Sequence, residues 1–232
     1  MRHELIEELM TSGSRHTVVF FHTAPALVQV FDELAAELAP AMVIRHVLRP
    51  DLLKQAIDIG SATAEIIEAA AEAMLRQTGP HVDAVICTCS TIGQAADLAN
   101  LQRPVFRIDR PMARRCVELG GRVLVLATVG TTIAPTVELI TSEASAAGRT
   151  LSVESSVLER ARRLFLEGRQ DDYLDAIAQG ISAATQDADV VVLAQASMAA
   201  ALPLAKHSAV PVLSSPRIGF EGILQDLSRR VD

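Results

Sequence analysis

Asp83-Ala84-Val85-Ile86-Cys87-Thr88-Cys89-Ser90-Thr91 is an apolar run that ends abruptly in two thiols and three hydroxyls. A helical pattern follows it, from Ile92 to Leu101. A short β-prone run followed by a helix is half of a βαβ unit, and in open α/β sheets ligands sit beyond the carboxyl ends of the strands. The reading therefore puts Cys89 and its neighbours where chemistry is done. The competing reading is that Cys87 and Cys89 are small buried hydrophobes, as free cysteine commonly is. Cys87 is expected in the core, pointing to the other side of the strand from Cys89.

Upstream of this stretch, Met1 to Arg15 is polar and reads as a helix or arm. Thr17 to Phe21 is a strand, and Pro25 suits the first turn of the helix carried by Leu27, Val30, Phe31, Leu34 and Leu38. Met42 to Leu48 is a second strand, and Asp51 to Ile57 and Ser61 to Gln77 are alanine-rich helices. Downstream, Pro104 to Ile108 is a fourth strand and Asp109 to Glu118 a helix. Gly120-Gly121 then marks a crossing, because the pattern begins again. Arg122 to Leu126, Thr150 to Val153, Asp189 to Leu193 and Val210 to Leu213 are its strands. Pro135 to Ala147, Val157 to Leu166, Asp171 to Thr185, Ala196 to Lys206 and Ile218 to Arg229 are its helices. Strand and helix alternate throughout, which predicts parallel sheets with right-handed crossovers.

Asp189-Val190-Val191-Val192-Leu193-Ala194-Gln195-Ala196-Ser197 repeats the opening stretch. Laid over each other, Cys89 pairs with Gln195, Thr91 with Ser197, and His22-Thr23 with Ala127-Thr128. The fold class is therefore α/β: two pseudo-symmetric flavodoxin-like lobes, each a four-stranded parallel sheet flanked by helices. The expected division is residues 1–112 with 214–232 as one lobe and 113–213 as the other. A cleft between lobes is where a small-ligand site is expected.

At 232 residues with half of them hydrophobic, the chain can bury a substantial core, and disorder is not expected. A net charge of −7 argues against a nucleic-acid partner. Cys87-Thr88-Cys89 is too close-set for a zinc site and has no second ligand pair, so no metal is expected. No apolar run approaches the roughly 18 residues that span a bilayer, so no membrane partner is expected. Three cysteines without framework spacing, and no hydrophobic leader, point to the cytoplasm. No G-x-G-x-x-G or P-loop follows any strand, which sets nucleotide cofactors aside. His16, His46, His81 and His207 carry no motif and read as surface or structural, and Cys116 has no assigned role.

Asp83-(five residues)-Cys89-Ser90-Thr91 with its repeat Asp189-(five residues)-Gln195-Ala196-Ser197, Thr128 with Thr131-Thr132, and Pro211 to Pro216 together resemble the aspartate/glutamate racemase superfamily, which includes hydantoin racemase, maleate isomerase and arylmalonate decarboxylase. The resemblance implies a cofactor-independent racemase or isomerase acting on the carbon next to a carboxylate of a small acid. In that family a thiol from each lobe flanks this carbon, while hydroxyls and backbone N–H groups hold the carboxylate. By match to the motif, Cys89 becomes the acid/base. Thr23, Ser90, Thr91, Thr131, Thr132 and Ser197 become carboxylate holders. The second cysteine position is Gln195, which cannot exchange a proton and reads instead as a donor to a carboxylate or enolate oxygen. One-thiol decarboxylation, isomerisation, and a small-acid binding protein that has lost catalysis all stay open. His22, at the first strand's end, is the candidate catalytic partner that would lower the thiol's pKa. A homo-oligomer, dimer or higher, is expected from the alanine-rich helices.

Overall fold

The computed structural model describes residues 16–206 and 209–231. The polar segment expected to be an N-terminal helix or arm, and His207, lie outside them. The chain divides into two compact units. One runs up to Ile108 and takes in the chain from Pro216 onward, and the other is Asp109–Ser215.

The first unit is built on β1 (Thr17–His22), β2 (Val43–Leu48), β3 (Ala84–Cys87) and β4 (Val105–Arg107). They form one all-parallel sheet in the order β2-β1-β3-β4. β3 and the centre of β1 are buried on both faces, which is why they read as continuous apolar runs without alternation. The connections are α1 (Leu27–Leu38), α2 (Pro50–Ile59), α3 (Ala64–Leu75) and α4 (Gly93–Asn100). Pro50 opens α2, where its missing N–H costs nothing, and Gly60, at φ 93°, closes it. On one face Val19, Phe21, Val85, Cys87 and Val105 meet Leu52, Ile66, Ala70, Met74 and Ala95 in a single apolar cluster. On the other, Phe20 packs against Phe31 of α1 at 4.6 Å between ring centroids, and against Phe220 at 5.3 Å. Phe220 belongs to α9 (Ser215–Val231), the terminal helix.

The second unit repeats the plan. β5 (Arg122–Ala127), β6 (Ser152–Val157), β7 (Val190–Leu193) and β8 (Val212–Ser214) form an all-parallel sheet in the order β6-β5-β7-β8. Its helices are α5 (Arg110–Leu119), α6 (Ile133–Ala146), α7 (Glu159–Leu166) and α8 (Gln170–Ala184). Leu126, Val191 and Leu193 pack on Ala161, Leu164, Tyr173, Ile177 and Ile181 of α7 and α8.

Several bounds move by a few residues, among them the terminal helix, which starts at Ser215 rather than Ile218, and the division between the units, at 108/109 and 215/216 rather than 112/113 and 213/214; two further segments differ for a physical reason. The strand expected at Thr150 to Val153 is β6, displaced to Ser152–Val157, and the helix after it starts at Glu159 rather than Val157. This edge strand is largely exposed and reads Ser-Val-Glu-Ser-Ser-Val, so no apolar run marks it. The helix expected from Ala196 to Lys206 is a run of 3-10 turns over Ala196–Leu204. Pro203 lies inside it and offers no N–H to an α-helical ladder.

The aspartates that open the repeated stretches hold the sheets together at their amino ends. Asp83 donates its N–H to Thr17 O at 2.9 Å and accepts the Thr17 N–H on Oδ2 at 2.6 Å. Asp189 does the same to Arg122, at 2.8 Å for both bonds. Gly121, at φ 85°, makes room for this clamp: a Cβ there would lie 2.7 Å from Asp189 Oδ2. These residues therefore explain the spacing of the motif without entering its chemistry.

Candidate active site

The chemistry-bearing residues of the first unit gather where β3 ends. The N–H of Thr88 donates to Phe21 O at 3.0 Å, continuing the sheet for one residue beyond β3. Cys89 then leads into a 3-10 turn, Ser90–Ile92, which runs directly into α4. Ser90 and Thr91 are buried in that turn, and Cys89 is half-buried. Burial pushes the Cys89 thiol above its ordinary range. Hydrogen bonds from the Thr23 and Thr91 hydroxyls and from the Ile92 and Thr91 backbone work against that rise. Burial wins, so the resting group is the thiol, with donors already placed to steady a thiolate.

Arg107 supports the turn from below. Its guanidinium lies so close to Gly93 that a Cβ there would be 2.6 Å from Cζ, and Nη1 pairs with Asp97 at 3.0 Å. Cys87 is buried, as expected, but Cys89 packs against the same apolar cluster that contains it. The expectation that they point to opposite sides is wrong: residues two apart on a strand share a face.

His22 is fully buried, and both its nitrogens are engaged elsewhere than at Cys89. Nδ1 shares a hydrogen bond with Thr88 Oγ1 at 2.7 Å, and Nε2 shares one with His46 Nδ1 at 2.8 Å. His46 Nε2 in turn meets the Asp32 carboxylate at 3.0 Å. Burial first, and then the neighbouring His46, lowers the His22 pKa to about 4. His46 and Asp32 were missed from sequence because neither carries a motif. The available signal was register: His46 is the partner of Phe20 across β1 and β2, and Asp32 follows Phe31 on α1.

In the second unit Gln195 stands where Cys89 stands in the first. Its Oε1 accepts from the Thr128 N–H at 2.7 Å, the Thr128 hydroxyl at 3.0 Å and the Val129 N–H at 3.0 Å. Thr128 is the repeat counterpart of Thr23, so the hydroxyl that bonds the residue at this place is kept in both units. Thr131 and Thr132 lie in the 3-10 turn Gly130–Thr132 that opens α6. Among the described residues, Thr131 Oγ1 is buried without a hydrogen-bond partner. Ser197 sits half-buried in the 3-10 run after Gln195. No described helix is long and apolar enough to cross a membrane, and no group of three or more metal-binding side chains occurs among the described residues.

This architecture recurs in solved structures. The glutamate racemase isoform RacE1 from Bacillus anthracis is 18% identical, with a TM-score of 0.68 over 93% of this chain and 82% of that one. The aspartate racemase of Picrophilus torridus is 14% identical, with a TM-score of 0.65 over 93% and 95%. Allantoin racemase from Pseudomonas fluorescens is 20% identical, with a TM-score of 0.59 over 93% and 92%. No curated protein matches the sequence significantly. The family model described as Asp/Glu/Hydantoin racemase matches residues 21–222, nearly the whole chain, and the chain belongs to that family.

Proposed function

We propose that the chain is a cofactor-independent enzyme that moves a proton at the carbon next to the carboxylate of a small acid, with Cys89 as its single acid/base thiol. The observation that carries this reading is the hydrogen-bond set around Cys89: two hydroxyls and the backbone of Thr91 and Ile92 converge on one half-buried sulfur. Preorganised donors of this kind stabilise charge as it develops, here on sulfur when the proton leaves. The thiol starts the cycle protonated, so it acts first as an acid. Ser90 beside it, and Thr131, Thr132, Gln195 and Ser197 in the second unit, are the proposed donors to substrate oxygens, while the Thr23 and Thr91 hydroxyls are engaged with the sulfur.

A symmetric racemisation needs a second group that exchanges protons, and an amide does not supply one at neutral pH. The reaction that needs only one is protonation from one side. In a decarboxylation, the bond to carbon dioxide breaks and its electron pair forms an enolate. The Cys89 S–H protonates the carbon, and water restores the thiol. The second reading, a small-acid binding protein that has lost catalysis, draws on the same substitution at Gln195.

The test is deuterium uptake from D2O into amino acids, hydantoins and substituted malonates, followed by proton nuclear magnetic resonance for wild type and Cys89→Ser. Cys89-dependent exchange or decarboxylation with one stereochemical outcome supports one-thiol chemistry. Cys89-dependent loss of optical activity would require a second base and would overturn the one-thiol assignment. No reaction with any compound, together with a melting temperature raised by one of these acids, would favour the binding protein.

A further inference from the structure

Two stacked histidines hydrogen-bonded to each other are costly to bury unless every ring nitrogen is satisfied. Here they are satisfied in series. The Asp32 carboxylate, largely exposed on α1, meets His46, His46 meets His22, and His22 meets the Thr88 hydroxyl. The rings of His22 and His46 stack at 5.1 Å between centroids, with Phe20 and Phe31 also against His22. The Thr88 hydroxyl also lies 3.2 Å from Phe21 O, the carbonyl that takes the Thr88 N–H. Thr88 is therefore the residue through which the end of β3 is fastened to β1, and Cys89 is the next residue. The His22 ring has no bond to the sulfur; among the described residues it reaches Cys89 through its hydrogen bond to Thr88.

We propose that His22 is a positioning residue: it holds Thr88, and through Thr88 the backbone from which Cys89 projects, while His46 and Asp32 hold His22. This assigns a role to His46 and Asp32 and rests on the proposed function only for its effect on turnover. Its effect on the thiol does not depend on any substrate. Burial keeps His22 neutral at ordinary pH, so it serves as a fixed hydrogen-bond partner and not as a cation beside the thiol.

The test uses the two amides that imitate the two halves of an imidazole. In His22→Asn the amide occupies the place of Nδ1 and keeps the bond to Thr88; in His22→Gln it occupies the place of Nε2 and keeps the bond to His46. Thr88→Val and Thr88→Ser form an independent pair, without and with the hydroxyl, should either His22 variant fail to fold. The readout is the rate of Cys89 alkylation by iodoacetamide, Cys87 and Cys116 being buried. Loosening the strand end relieves the burial that raises the thiol. Alkylation should therefore quicken in His22→Gln and Thr88→Val by about three- to tenfold. A thiolate fraction rises tenfold per unit of lowered pKa, and reduced nucleophilicity gives part of it back. His22→Asn and Thr88→Ser should restore the rate to within about twofold of wild type.

With a substrate in hand, His22→Gln should lose kcat while KM holds, and His22→Asn should recover most of it. If Asn and Gln abolish turnover alike and leave alkylation untouched, His22 moves protons itself and the proposal is wrong. Equal alkylation rates in all four variants would also overturn it. If wild type turns over no compound but the alkylation pattern appears, the positioning role stands and the enzyme reading falls.

Discussion

Gly219 of α9 lies directly against the backbone of Ile108, and its replacement by alanine tests the packing between that helix and the end of β4. A Cβ at this position would lie 1.9 Å from the backbone oxygen of Ile108, 2.8 Å from its Cγ1 and 2.9 Å from its carbonyl carbon. Cβ atoms essentially never approach another heavy atom within 3.0 Å, so helix and loop must separate by more than an ångström. The obstacle is backbone, which has no rotamer to escape into. Overpacking of this kind costs about 1–3 kcal/mol, and a main-chain obstacle belongs at the upper end. Alanine returns about 1 kcal/mol through its helix propensity. The net expectation is a loss of about 2 kcal/mol, read as a lower urea midpoint at unchanged slope. Moving α9 outward also withdraws Phe220, Ile223 and Leu224, all buried, so relaxation does not come freely. Moving Ile108 instead strains its N–H bond to Cys87 O, at 2.9 Å, and so reaches the strand that carries Cys89. A variant as stable as wild type, or more so, would refute the reasoning.

His22 makes stability depend on pH. Unfolded, it takes a proton near its ordinary value of 6.5; folded, it does so only near about 4. Between these values the unfolded chain binds the extra proton, so stability is full above pH 6.5 and falls by about 3 kcal/mol toward pH 4. Urea midpoints across this range check it, and His22→Asn should remove that part of the slope. Gly93→Ala should push Arg107 off the turn, because a Cβ would meet Cζ, Nη2 and Nε at 2.6–2.9 Å, and Arg107 is buried and paired with Asp97. A loss of about 1–3 kcal/mol is expected by thermal melting, with faster alkylation of Cys89. Gln195→Ala removes the acceptor shared by the Thr128 and Val129 N–H groups. Leaving such donors unpaired costs about 1–3 kcal/mol, measurable by urea unfolding, whereas Gln195→Glu keeps the acceptor and should lose less.

The sheets were legible because their central strands are buried on both faces and announce themselves as short apolar runs. β3 and β7 needed nothing more, since Ala84 to Cys87 and Val190 to Leu193 are buried at every position. β6 was misplaced because an exposed edge strand has no such run to read. The place of Cys89 followed from strand-end logic and the repeat, whereas its hydrogen bond to Thr23 did not. What did not follow was the orientation of His22. Whether a histidine at a strand end turns toward the ligand side or into the sheet depends on which face meets Phe31, His46 and Phe220. That is a fact of tertiary packing, carried by residues distant in sequence. The state of the thiol was equally hidden, since it is a balance between desolvation and donors that only the folded turn brings together.

The two units apply the same local rules to different chemistry at one position. An aspartate clamps the first residue of the central strand in both, Thr17 by Asp83 and Arg122 by Asp189. The residue beyond the third strand of each unit donates back to the central strand, Thr88 to Phe21 and Ala194 to Leu126. A threonine hydroxyl then meets the side chain that follows, Thr23 with Cys89 and Thr128 with Gln195. Against that shared frame the change from thiol to amide is not a sign of a collapsed site. A carbonyl accepts more strongly than sulfur, and Gln195 uses it on three donors at once. This fixes the amide and leaves its NH2 as the end free to donate. Where the first unit has a side chain able to exchange a proton, the second has one that can only orient or hold an oxygen.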